Sequence, residues 1–178
     1  MNTQLKILLY IGLVVGIIYL IQNKYSVFDI SFDKPRDNKV KEDINNENEG
    51  DSLEILNSDG QKIFVTLEVS DTPELRKQGL SNREQLGDYQ GMLFIFDTQG
   101  NYSFWMKDML IPLDIIFISY SGYIVDVKEN LLPCSSDKCL SISSDEPFMY
   151  ALEVNSGFVD INKIAVGNAV LFNISSKE

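Results

Sequence analysis

Apolar and polar positions alternate along much of the chain after residue 52. Ile63, Val65, Leu67 and Val69 are interleaved with Phe64, Thr66 and Glu68, and the preceding Leu53 to Leu56 is joined to them through Asn57-Ser58-Asp59-Gly60. A period of two with a turn-forming composition between two runs predicts a β-hairpin. Further strands are predicted at Gly91 to Phe96, Tyr102 to Met106, Leu113 to Ser119, Tyr123 to Glu129, Tyr150 to Val154 and Ala169 to Ile174, separated by turns such as Asp97-Thr98-Gln99-Gly100-Asn101 and Tyr120-Ser121-Gly122. One helix interrupts them, with Asp71 or Thr72 as N-cap, Pro73 at the first helical position, Glu74 in the first turn and Gly79 near the end. A second helical turn fits Phe158 to Asn162. Many short strands with regular turns predict a mainly β domain, a sandwich or partly closed barrel with one short helix.

The N-terminal part follows a different pattern. Seventeen uncharged residues, Ile7 to Asn23, lie between Lys6 and Lys24. As a helix they reach about 25 Å, and flanking lysines that snorkel cover the rest of a hydrocarbon layer of about 30 Å. The segment ends as Tyr19-Leu20-Ile21-Gln22-Asn23-Lys24-Tyr25, without the small residues of a cleavage site, so residues 1–24 read as an uncleaved transmembrane anchor. Residues 25–52, rich in Asp, Glu, Asn and Lys, read as a polar tether that cannot bury enough surface to order itself. The domain is expected over 53–175, with a tail at 176–178.

Composition narrows the chemistry. Of 178 residues, 15 are Lys or Arg and 26 are Asp or Glu, a net charge of −11, which opposes a phosphate-tracking surface and so nucleic-acid binding. There is no histidine, which removes histidine-based triads, general bases and most zinc or haem ligation. No metal or cofactor site is expected.

Several stretches carry a resemblance: Asp71-Thr72-Pro73-Glu74 through Gly79-Leu80 to Arg83, Gly91 to Phe96, Ser103-Phe104-Trp105-Met106-Lys107, and Ile111-Pro112-Leu113-Asp114-Ile115-Ile116-Phe117-Ile118. Pro133-Cys134 with Cys139, and Leu152-Glu153-Val154 with Gly157, continue it. Together they resemble the uncharacterised family catalogued as domain of unknown function 192. The resemblance implies a compact β-sandwich of jelly-roll type, and an N-terminal signal or anchor that delivers the domain outside the cytoplasm. The positive charges speak the other way: only Lys6 and the terminal amine precede the segment, whereas Lys24, Lys34, Arg36, Lys39 and Lys41 follow it. Asp108 departs from the family pattern, where Asn is more usual, and so does Leu140 to Ile142, where a Tyr-containing stretch is more usual.

Candidate ligand residues are Arg83, Trp105, Lys107, Asp108, Asp114 and Glu153. Trp105 offers contact area at low entropy cost and Lys107 a charge for an anion; equally, alternation can bury Phe104 and Met106 and leave Trp105 and Lys107 as mere surface. Asp114, inside an apolar run, must be met by a cation or by N–H donors, with Lys107 and Arg83 as candidate partners. Glu153, between Leu152 and Val154, poses the same question. Asp114 with Glu153 or Glu129 is a candidate carboxylate pair of glycosidase type. Cys134 and Cys139 enclose four residues and suit a local disulfide outside the cytoplasm, or two unlinked thiols inside it. Asn101 and Asn173 head Asn-x-Ser strings, glycosylation acceptors only in a host with the machinery. Two function classes follow. The first is a membrane-anchored binding or accessory domain of the cell envelope for a small polar ligand, a glycan or a protein. The second is a small histidine-independent hydrolase or transferase that uses carboxylates and a lysine.

Overall fold

The computed structural model describes residues 50–136 and 138–175; the expected anchor, the tether up to residue 49 and the tail lie outside the described residues. Among the described residues no helix is long and apolar enough to cross a membrane. The predicted hairpin is present, with β1 (Ser52–Leu56) antiparallel to β2 (Lys62–Ser70) and Leu53 opposite Val65. Its turn is held by Asn57, whose Oδ1 accepts from the amides of Asp59 (3.1 Å) and Gln61 (2.8 Å). Ser52 already belongs to β1, so the expected tether ends before it. Helix α1 (Pro73–Gln78) follows, capped by Thr72 Oγ1 accepting from the Leu75 amide at 3.2 Å.

The remaining elements are β3 (Gln90–Gly100), β4 (Ser103–Phe104), β5 (Leu113–Ile118), β6 (Ile124–Leu131), β7 (Ile142–Ser143), β8 (Phe148–Asn155), α2 (Phe158–Ile161) and β9 (Ala169–Asn173). Seven strands form one sheet in the order β6-β5-β8-β3-β2-β1-β9, antiparallel except for β2 beside β3, where α1 lies in the crossover. β4 and β7 form a separate two-stranded ribbon. β3 runs through the turn expected at Asp97 to Asn101 after an irregularity between Ile95 and Gly100, and the strand expected over Tyr102 to Met106 shrinks to two residues.

The sheet curls until its two edge strands meet at one end. The Val170 amide donates to the Gly122 carbonyl (2.8 Å), the Ile124 amide to Asn168 (3.0 Å), and Tyr123 bridges Ala169. Gly122 is required there: its φ is +78° and a Cβ would lie 2.9 Å from the Val170 carbonyl oxygen. Of the architectures expected, the partly closed barrel is the one found. A jelly-roll sandwich needs a second full sheet, and here the facing layer is α1, the β4–β7 ribbon and loops.

Two cores result, one on each face. Inside the curl pack Leu53, Ile55, Val65, Leu93, Ile116, Ile118, Leu152, Val154 and Val170 with α2. Outside, over β3, β8 and β5, pack Leu80, Met92, Phe94, Phe104, Met106, Ile115, Phe117 and Phe148. β5 is buried at all six positions, which is why it reads as an unbroken apolar run rather than an alternating one.

Asp114 is the exception in that run, and it is fully buried. It shares the inner face of β5 with Ile116, and the donors that meet it are backbone amides. Its Oδ1 accepts from the Asn130 amide (2.8 Å) and its Oδ2 from the Val159 amide (3.1 Å), which ties β5 to β6 and to α2. Arg83 instead forms a two-pronged ion pair with Glu68, one prong at 2.7 Å. Asp114→Asn should therefore destabilise the fold by about 2 kcal/mol, because an amide NH2 would face a backbone N–H at one of the two bonds. Urea unfolding of the full-length chain checks this, and an unchanged midpoint would mean that the two backbone bonds contribute nothing.

Candidate functional site: a cleft over a buried carboxyl

The cleft begins where α1 must lie down on the outer core. Arg76 fixes it, with one guanidinium nitrogen donating to the carbonyls of Asp71 (2.7 Å) and Ile95 (2.6 Å) and the guanidinium carbon 5.3 Å from the centre of the Phe96 ring. The helix ends at Gly79, whose amide donates to the Leu75 carbonyl at 2.9 Å, and Leu80 then plugs into the core. Across from α1 runs the segment of Phe104 to Met109. Phe104, Met106 and Met109 are buried, while Trp105 stands 51% exposed, so alternation at the ribbon turns the indole outward. Phe104 is held edge-on by Phe94 at 5.1 Å, and Phe96 stacks on Tyr102 at 3.8 Å.

Between these walls lies a cavity of about 210 Å³, lined by Arg76, Lys77, Phe94, Phe104, Trp105 and Glu153 among others. A second hollow of about 380 Å³ shares Lys77, Ser81 and Trp105 with it and adds Lys107 and Asp108. The two therefore adjoin along the indole.

Glu153 forms part of the lining on the sheet side. It lies on the outer face of β8, opposite Met92 on β3 and Ile115 on β5, so both cross-strand neighbours are apolar. It is 5% exposed, and its Oε2 has no hydrogen-bond partner among the described residues. Burial alone pushes its pKa up from the ordinary carboxyl range to about 8, so the group is mostly uncharged at neutral pH. Gly79 sits over it: a Cβ there would lie 3.9 Å from Oε2 and 3.4 Å from the Phe94 ring.

The rim is braced by a disulfide between Cys134 and Cys139, with Cα atoms 5.8 Å apart. The Cys134 amide donates to the Met106 carbonyl (2.9 Å) and the Asp108 amide to the Cys134 carbonyl (3.2 Å), so the disulfide loop clasps the stretch that carries Trp105. Asp108 is in the left-handed region (φ 57°), and its carbonyl accepts from the Asn82 amide at 2.8 Å. Asp tolerates that backbone better than most residues with a side chain.

Of the candidates named from sequence, the structure brings Trp105, Lys107, Asp108 and Glu153 together along the cleft and its rim. Asp114 lies on the opposite face of the sheet, which removes it from this surface and rules out a carboxylate pair with Glu153 here. Arg83 does not line the cavity, and Glu129 is exposed on β6. Sequence reasoning missed Arg76, Lys77 and Phe94 as lining residues. Phe94 lies in a run that reads simply as strand, and nothing local distinguishes Arg76 and Lys77 from other helix-surface cations.

The chain belongs to the family described as DUF192, Uncharacterized ACR, whose family model matches residues 54–172. Among solved structures it is similar to a protein of Sinorhizobium meliloti 1021 described as a candidate transcription regulator, with 33% identity over 68% of this chain and 92% of that one and a TM-score of 0.65. It is also similar to a protein of unknown function from Novosphingobium aromaticivorans DSM 12444, with 27% identity, a TM-score of 0.63, and coverage of 67% of this chain and 83% of that one. No curated protein matches the chain.

The Glu153 carboxyl couples stability to pH. Its folded value of about 8 lies above the unfolded carboxyl value, so the folded state binds the extra proton. The stabilisation from burying the neutral acid is complete below about pH 4.5, and it is lost as pH rises through 8, by up to ~1.4 kcal/mol per pH unit. Unfolding midpoints measured from pH 5 to 9 should fall for the wild type and flatten for Glu153→Gln. Parallel curves for the two would show that Glu153 is ionised in the fold.

Proposed function

We propose that this cleft is a ligand site, and that the chain is a membrane-anchored binding or accessory domain of the cell envelope for a small polar ligand or glycan. The observation that carries the reading is a half-exposed indole standing beside a cavity lined by a buried carboxyl whose Oε2 has no hydrogen-bond partner among the described residues. An aromatic wall with a few placed polar groups is the usual make-up of a small-molecule site. Lys107 and Asp108 extend the polar rim. Envelope placement rests on the disulfide, which persists in oxidising compartments, and on the apolar run Ile7 to Asn23. The regulatory description of the Sinorhizobium protein is not carried over to this chain, whose net charge of −11 opposes binding to nucleic acid.

A second reading rests on Glu153 itself. A carboxyl that titrates near 8 is suited to general acid or base work at neutral pH, as a histidine-independent hydrolase or transferase requires. Lys77 and Lys107 are the lysines at hand.

Trp105→Ala should abolish ligand binding while costing about 1 kcal/mol of stability or less, well below the ~3–5 kcal/mol of a core indole. The pair of measurements is a denaturant midpoint and a binding isotherm with whatever small molecule co-purifies with the chain. A loss of several kcal/mol would make Trp105 scaffold. For the compartment, thiol labelling of denatured protein from intact cells should find no free thiol until reductant is added. Thiols that label without reductant, and only after lysis, would place the domain in the cytoplasm.

A further inference from the structure

Resting on the reading of the cleft as a ligand site, we propose that its ligand presents an ammonium group, a primary or secondary amine in its protonated form, to the Glu153 carboxyl, with the carbon frame of the ligand against Phe94, Phe104 and Trp105. The geometry asks for a donor. Oε2 of Glu153 is buried and has no hydrogen-bond partner among the described residues, its cross-strand neighbours Met92 and Ile115 supply none, and the residue lines the cavity. An N–H-bearing cation meets both needs of such a carboxyl, a hydrogen bond and an opposite charge. Aromatic faces around it suit the same cation. The chain's net charge of −11 raises the local concentration of cations around it.

The cations already in the wall do not fill this role. Arg76 is committed to two backbone carbonyls and the Phe96 ring, and neither it nor Lys77 contributes to the state of Glu153, which burial alone determines. The other elements packed against Glu153 present Met92 and Phe94 from β3 and Ile115 from β5, all uncharged. Lys107 and Asp108 stand at the rim, and Arg83 is paired with Glu68. A cationic ligand must therefore bind the ionised form of Glu153 and release its proton. Affinity then rises with pH, by up to about tenfold per unit, until the carboxyl is ionised without the ligand.

Trp105 is the chain's single tryptophan, so its fluorescence reports the rim directly. The test titrates full-length protein in detergent micelles with butylamine, butanol and butyrate from pH 6 to 9, a range in which an aliphatic amine of lysine-like acidity stays protonated. The expected result is a saturable Trp105 response to butylamine that strengthens from pH 6 to about 8 and then levels, at least ~10-fold tighter than for butanol. Glu153→Gln, isosteric with the neutral acid, should lose that preference and the pH slope together. Saturable binding of butanol or butyrate at equal or greater strength would overturn the ammonium assignment and leave the cleft a ligand site. No saturable response to any of the three would overturn both. Should the variant fail to fold, the wild-type pH profile decides alone: a flat profile contradicts the proposal.

Discussion

Strand β8 runs through the middle of the sheet and is covered on both faces, by the inside of the curl on one and by α1, the β4–β7 ribbon and the Phe104 to Met109 segment on the other. Any ionisable side chain on such a strand must be paired, neutralised or given to a ligand, because charge in a place without water is costly. The chain places Glu153 there, between Met92 and Ile115, with no partner for its Oε2 among the described residues. The contrast with Asp114 is instructive. That carboxyl is also buried, one strand away, but two backbone amides donate to it. One acid is spent on holding β5, β6 and α2 together, and the other is left facing a cavity.

The surroundings of Glu153 depend on that arrangement being held open. Arg76 fastens α1 at the edge of the cavity through backbone carbonyls and the Phe96 ring. Opposite it, the disulfide loop fastens the Trp105 segment through the Met106 carbonyl and the Asp108 amide. The first anchor commits the Arg76 guanidinium of the cavity wall to backbone carbonyls and a ring, and the second uses backbone groups, so neither engages Glu153. A cavity held from both sides lowers the cost of ordering its walls around a ligand.

Much of the scaffold was legible in the sequence. The hairpin around Asn57 to Gly60, the Thr72 and Pro73 start of α1 and its end at Gly79 follow from local chemistry that the structure retains. The ribbon of β4 and β7 was not legible, since two-residue strands leave no period to detect. The architecture was open between sandwich and barrel because strand patterns do not tell which edges meet; that depends on contacts such as Gly122 with Val170. At the site, Trp105 was readable as outward-facing from the alternation around it. The separation of Asp114 from Glu153 was not, because each looks alike in sequence, an acid in an apolar run. Their opposite faces follow only from the β5–β8 register, which sets Asp114 against Val154 and Ile115 against Glu153.

The central claim is that Glu153 is an uncharged acid at neutral pH because burial, and no neighbouring charge, governs it. Carbon-13 NMR of the glutamate side-chain carboxyls, with Glu153→Gln to assign the resonance, measures this directly. The account predicts a titration midpoint for Glu153 near 8 in the ligand-free protein. A midpoint in the ordinary carboxyl range, about 4 to 5, would contradict it.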